Sequence, residues 1–148
     1  MNRPVLLVED NDIDAASMLR VAQAMPFSAP IRRLRSGEEA VDYLWRRGEF
    51  EAKEHSPTPL LILLDIHLPG LSGLDVLNEL KGDERLRTVP VIMFSSSRNP
   101  EDINASYREG ANSYLHKPRA VDELRKATEA LSQFWLRVAV LPPGEEPV

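Results

Sequence analysis

"LLILLDIHLPGLSG" spans residues 60–73 and decides how the rest of the chain folds. Five apolar residues run unbroken from Leu60 to Leu64, and the run stops at a single carboxylate, Asp65. Pro69-Gly70 and then Gly73 follow within eight residues. A short, continuous apolar run bounded by turn residues reads as a strand buried on both faces, the type used by parallel sheets. An acid at its end sits where such a strand returns to the surface.

The chain on either side repeats this pattern. "VLLV" (5–8) is another short apolar run and stops at Glu9-Asp10. Ile13, Met18, Val21 and Met25 lie near helical spacing between Asp12 and Met25. "IRRLR" (31–35) alternates weakly, as an edge-side strand would. Ser36 and Glu39 form a capping-box pattern, and Ala40, Val41, Tyr43, Leu44 and Trp45 continue the helix toward Gly48. Residues 49–59 are polar and contain prolines, so they read as a loop. Leu74, Val76, Leu77 and Leu80 give the next helix, and "VPVIMFS" (89–95) the next strand. "NPED" (99–102) supplies a cap, a proline at the first helical position and acids in the first turn. That helix ends at Gly110. "SYLH" (113–116) is a last strand, and Val121 to about Arg137 a last helix. Strand and helix thus alternate five times. The expected architecture is α/β: an open, doubly wound parallel sheet with helices on both faces.

Composition narrows the function. The 148 residues are 43% apolar, enough for one domain with a real core. The net charge of −5 argues against broad binding to nucleic acid or anionic membrane. No stretch approaches the roughly 20 apolar residues that span a bilayer. "MNRPVLLVEDND" turns acidic too soon for a signal peptide. There is no cysteine, which excludes disulfides, thiolate metal sites and a cysteine nucleophile. A cytoplasmic location is expected. The chain shows no internal repeat and no second domain.

Open sheets of this type bind ligands beyond the carboxyl ends of their strands. Glu9, Asp10, Asp65, Ser95, Ser96, Ser97 and Lys117 all fall at that edge. Taken singly, each has an ordinary role as a helix-dipole partner, loop residue or surface lysine. Together they form an oxygen-rich cluster. Clustered carboxylates raise one another's pKa unless a cation joins them. Hard oxygen donors with open coordination suit Mg²⁺. A carboxylate beside Mg²⁺ can accept a phosphoryl group, with Lys117 offsetting its charge.

These residues resemble the receiver domain of two-component response regulators, the CheY-like family. The resemblance rests on Glu9-Asp10, "LLDIHLPGLSG" around Asp65, "PVIMFSSS" (90–97) and "GANSYLHKP" (110–118), and it spans roughly residues 3–135. It implies a flavodoxin-like, five-stranded sheet in the order 2-1-3-4-5. It implies Asp65 as phosphoacceptor, with Mg²⁺ held by Glu9, Asp10, Asp65 and the backbone carbonyl of His67. It implies Ser95 as the switch hydroxyl, Ser96 and Lys117 beside the phosphate, and Tyr114 as the aromatic whose movement reports phosphorylation. It also implies a cis bond before Pro118. The imidazoles of His55, His67 and His116 are expected to be exposed and without a task. The chain departs from the commonest family pattern at Glu9 (usually Asp), Ser95 (usually Thr) and Ser96 (usually Ala or Gly).

Two other function classes remain open at this level. One is a Mg²⁺-dependent phosphohydrolase of the haloacid-dehalogenase or toprim type. The first would need a second Asp where His67 stands, and the second an Asp-x-Asp pair that is missing. The other is a degenerate receiver acting only as an interaction module. After a receiver domain at 1–137, only the tail 138–148 remains, which is too short for an effector domain. A stand-alone regulator is therefore expected. "LLVEDNDID", the polar loop 48–59, and the "FWL" and "LPP" of the tail resemble regulators paired with phytochrome kinases. That implies a histidine kinase, a bacteriophytochrome or a phosphotransfer protein as donor. It also implies a homodimer. Phe134, Trp135, Leu136, Val138, Val140 and Leu141 are the expected contact, because a monomer offers no evident groove for them.

Overall fold

The computed structural model describes residues 3–144. Five strands, β1 (Val5–Val8), β2 (Ile31–Leu34), β3 (Leu61–Leu64), β4 (Val91–Ser95) and β5 (Ser113–His116), form one parallel sheet in the order β2-β1-β3-β4-β5. The helices are α1 (Asp12–Gln23), α2 (Gly37–Trp45), α3 (Gly73–Lys81), α4 (Pro100–Arg108) and α5 (Val121–Gln133). Both the doubly wound class and the strand order match expectation. The weakly alternating 31–34 segment is indeed an edge strand. No helix among the described residues is long and apolar enough to cross a membrane.

Strand alternation divides the core in two. Leu6, Val8, Ile62, Leu64, Val91 and Met93 pack against α2 and α3, through Ala40, Val41, Leu44, Val76, Leu77 and Leu80. Val5, Leu7, Leu61, Leu63, Ile92 and Phe94 face the other way, onto Ala15, Met18 and Val21 of α1 and Leu124 and Leu131 of α5. The central strands are apolar on both faces because both faces are covered. Helix α4 is the exception, since its only fully buried residue is Ser106.

The polar loop after α2 is less open than its composition implies. It contains short 3₁₀ turns at Gly48–Phe50 and Lys53–His55, and Phe50 is buried edge-on against Tyr43. The Tyr43 hydroxyl donates to the Pro57 carbonyl (2.7 Å), which fastens the loop to the core.

Two expectations at the C-terminal end are corrected. The last helix ends at Gln133 rather than near Arg137; it buries Leu124, Thr128, Leu131 and Ser132, while Val121 stays 69% exposed. After Gln133 the backbone widens into one π turn, Phe134–Val138, closed by Ala139 N–H to the Phe134 carbonyl (2.7 Å). This rotates Trp135 and Leu136 onto the α1-side core, beside a rim that includes Met25 and Phe27. So the monomer does offer Trp135 a groove. Leu141 is half-buried too, and the Arg3 guanidinium donates to the Pro142 carbonyl (2.8 Å) and to the carbonyls of Thr58 and Pro59, tying down the tail. Phe134, Val138 and Val140 remain exposed. Residues 145–148 of the expected tail, like residues 1 and 2 of the expected domain, lie outside the described residues.

Gly73 shows how tightly the opening stretch is folded. Its N–H donates to the Ile66 carbonyl (2.9 Å), and a Cβ there would collide with the Asp65 carbonyl oxygen. Gly73→Ala must therefore push the loop carrying Asp65 away from α3. Overpacking of this kind costs about 1–3 kcal/mol, so urea unfolding should show a loss of that size. An unchanged midpoint would mean that the loop yields freely.

Candidate phosphoacceptor site

The register of the sheet builds the site. Val8 pairs with Leu64 across β1 and β3, so Glu9 and Asp65, each one residue further on, emerge side by side. The Asp65 N–H donates to the Val8 carbonyl (3.2 Å), and the Glu9 N–H to the Leu34 carbonyl (3.0 Å). Ligand oxygens of Glu9, Asp10 and Asp65 lie within 4.8 Å of one another. Glu9 and Asp65 are buried, whereas Asp10 is exposed.

Lys117 closes the cluster. Its Nζ lies 2.5 Å from Glu9 Oε1, 2.7 Å from Asp65 Oδ2 and 3.1 Å from Asp14 Oδ2. The Lys117 N–H donates to the Ser95 carbonyl (2.9 Å), which carries the start of the following loop across the end of β4. Burial works against the ammonium charge, but its hydrogen bonds and charge interactions with Asp65 and Glu9 outweigh this and hold its pKa above the ordinary lysine value. Burial pushes the Glu9 carboxyl up and Asp65 adds to the rise, while Lys117 and the Asn11 N–H pull it back only in part. Asp14 is a member of the site that sequence reasoning missed. Its only signal was a further acid one helical turn past Asp10.

Ser95 is the last residue of β4 and fully buried, and its Oγ accepts from the Ser97 N–H (3.2 Å). Ser96 is exposed at the mouth. The His67 N–H donates to Asp65 Oδ1 (3.3 Å), which brings the His67 peptide up to the cluster. Its imidazole is exposed, as expected, but not idle: Nε2 lies 3.3 Å from Asp102 Oδ2, which also accepts from Ser97 Oγ (2.5 Å). Tyr114 is half-buried, and its hydroxyl donates to the Ser97 carbonyl (2.7 Å), so the ring already occupies an inward position. His116 is half-buried against the Tyr114 ring rather than exposed. No peptide among the described residues is cis, so the expected cis bond before Pro118 is instead trans, the form ordinarily preferred even before proline.

Comparison with known proteins agrees with this geometry. Residues 5–129 match the response regulator receiver domain. The chain belongs to the response regulator receiver family. That membership sets aside the hydrolase classes weighed from the sequence. The regulatory protein FilR2 of Methanothrix harundinacea is 36% identical over 132 residues, covering 89% of this chain and 83% of FilR2. Response regulator Rcp1 of Synechocystis is 37% identical over 138 residues, covering 93% of this chain and 92% of Rcp1. Its Mn²⁺-bound structure superposes with a TM-score of 0.85 at 36% identity, covering 95% of this chain and 99% of that one. The phosphorylated cyanobacterial phytochrome response regulator RcpA gives 0.87 at 34% identity, covering 96% and 99%.

All-oxygen donors from Glu9, Asp10 and Asp65 fit a hard divalent cation. The ammonium of Lys117 lies between two of them and supplies positive charge to this edge. Lys117→Met removes it and leaves Glu9 beside Asp65. Unfolded Glu9 ionises near 4.5, whereas folded Glu9, already raised, would rise further. The folded chain then binds more protons than the unfolded chain above pH 4.5, so stability falls as pH rises through that window. Urea unfolding of Lys117→Met should show a deficit against the unmodified chain of about 1–3 kcal/mol at pH 7.5 that shrinks at pH 5. A deficit independent of pH would contradict the assignment.

Proposed function

We propose that this chain is a response regulator, with a receiver domain at 1–137, that accepts a phosphoryl group on Asp65 in the cytoplasm. The observation that carries this reading is a buried Asp65 flanked by Glu9 and Asp10 and held by Lys117. Glu9, Asp10, Asp65 and the carbonyl of His67 would hold Mg²⁺. When bound, that ion offsets negative charge on the phosphoryl group. Lys117 neutralises the phosphoryl oxygens from the other side. Ser95 and Ser96 line the phosphate, and Ser95 Oγ exchanges its bond from the Ser97 N–H for one to the phosphoryl group. A hydrogen bond to a charged group is worth about 1.5–3 kcal/mol, enough to shift the loop that carries Ser97 and, through its carbonyl, Tyr114. The chain catalyses nothing beyond its own phosphorylation and dephosphorylation.

The donor is a histidine kinase, directly or through a phosphotransfer protein. Similarity to RcpA over 96% of this chain supports a phytochrome-type kinase. The expected test begins with acetyl phosphate and Mg²⁺, which should label the chain in a form cleaved by hydroxylamine. Asp65→Asn should abolish that label, as should a chelator. Full labelling of the variant would refute the assignment, and no labelling of the unmodified chain would leave only an interaction module.

The homodimer belongs to the same reading. It is supported by the exposure of Phe134 (53%), Val138 (63%) and Val140 (99%) on one short segment. Trp135, Leu136 and Leu141 support that face from beneath. Sedimentation velocity should show a dimer that dissociates when Phe134, Val138 and Val140 are all changed to Ser. A monomer at micromolar concentration, phosphorylated or not, would rule it out.

A further inference from the structure

Glu9 is fastened at every polar atom. Its N–H donates to the Leu34 carbonyl (3.0 Å), and its carbonyl accepts from Arg33 Nε (2.9 Å). Its Oε2 accepts from the Asn11 N–H (3.2 Å), and its Oε1 meets Lys117. Asp12, at the start of α1, is held as well, by Arg33 Nη1 at 2.8 Å and Arg35 Nη1 at 2.9 Å. Between them stands Asp10, whose carboxylate makes no hydrogen bond or ion pair among the described residues. The position of Asp10 is therefore set by its neighbours, and one side chain reaches both flanks.

That side chain is Arg33, which stands on edge strand β2 in register with Leu7. It is only 14% exposed, and its Nη2 is buried with no hydrogen-bond partner. An orphaned buried donor is unfavourable. The guanidinium accepts it while its other two arms bracket the acidic loop. A lysine could supply the charge but not the two-armed fork.

We propose that Arg33 is a positioning residue: by bracketing Glu9 and Asp12 it holds Asp10 where its carboxylate can share a divalent cation with Asp65. This rests on the metal-site reading above. Charge alone would act in the opposite sense, because a cation beside the cluster repels a metal ion. The sign of the effect therefore separates positioning from electrostatics.

The probe is Mn²⁺, titrated into the full chain with no phosphodonor and followed by calorimetry or by the paramagnetic signal of free Mn²⁺. Arg33→Lys keeps the charge and loses the fork. Arg33→Gln loses the charge and keeps one amide donor. Support residues behind metal ligands typically contribute 10–100-fold in affinity, so both variants should bind Mn²⁺ about tenfold more weakly. Unchanged or tighter binding in either variant overturns the proposal. A measurement on the unmodified chain covers the case in which a variant fails to fold. Without metal, the Asp10 and Asn11 amides should be as rigid in ¹⁵N relaxation as those of β1. A loop that is mobile until Mg²⁺ is added would overturn the proposal as well. Absence of saturable Mn²⁺ binding in the unmodified chain overturns the metal site and this inference together, whereas binding of unchanged affinity in Arg33→Lys overturns the inference alone.

Discussion

The ammonium of Lys117 lies between the carboxylates of Glu9 and Asp65, 2.5 Å from one and 2.7 Å from the other. The register of β1 against β3 leaves no alternative to this crowding. Val8 pairs with Leu64, so the next residue on each strand emerges at the same point of the same edge. Two acids brought together in this way and buried repel each other strongly unless a cation intervenes. That cation comes from Lys117, the residue after β5, a strand separated from β3 by all of β4. A lysine has the reach to cross that strand, and the Lys117 N–H anchors its backbone to the Ser95 carbonyl on the way. The order of the sheet and the chemistry of its edge are thus one constraint seen twice.

Rigidity is unevenly distributed around this edge. Helices α2 and α3 bury continuous apolar stripes on one face, and α1 and α5 on the other. Helix α4 buries only Ser106. It is held instead by polar contacts that converge on Ser97 and Asp102. The Ser97 N–H reaches Ser95, its Oγ reaches Asp102, and its carbonyl receives the Tyr114 hydroxyl. Segments with little buried apolar surface open at low free energy. The polar hub therefore lies where a change at Ser95 meets the least resistance, and the apolar faces behind it supply a fixed frame.

The elements were legible because the central strands are buried on both faces and so carry no polar residue until they end. The site was legible for the same reason: a strand that stops at Asp65 or at Glu9 announces the surface. Contacts between elements carried no such signal. Arg33 reads as one of several arginines on a polar edge strand, and only the fold brings it to the Glu9 carbonyl. Phe50 lies in a stretch whose composition is that of a loop, yet it is core. The capping box expected at Ser36 is half made. Ser36 caps Glu39, but the Glu39 side chain accepts from the Arg35 N–H instead. The complete box is at Ser72, where Asp75 has too short an arm for the usual pattern but meets both requirements. The last helix reads as continuous to about Arg137, yet it ends at Gln133, where the turn widens.

Glutamate at position 9, where the family more often has aspartate, now has a physical account. The longer arm lets one carboxylate oxygen reach Lys117 while the other accepts the Asn11 N–H, which lies in the loop just before α1. Both oxygens are therefore oriented before any ligand arrives. Asp10, by contrast, is exposed and free at its carboxylate among the described residues. A cation entering this edge meets one acid already fixed and one able to turn toward it. Groups already ordered cost nothing more to order on binding. The extra methylene of Glu9 thus lowers the reorganisation needed at the site without changing its charge.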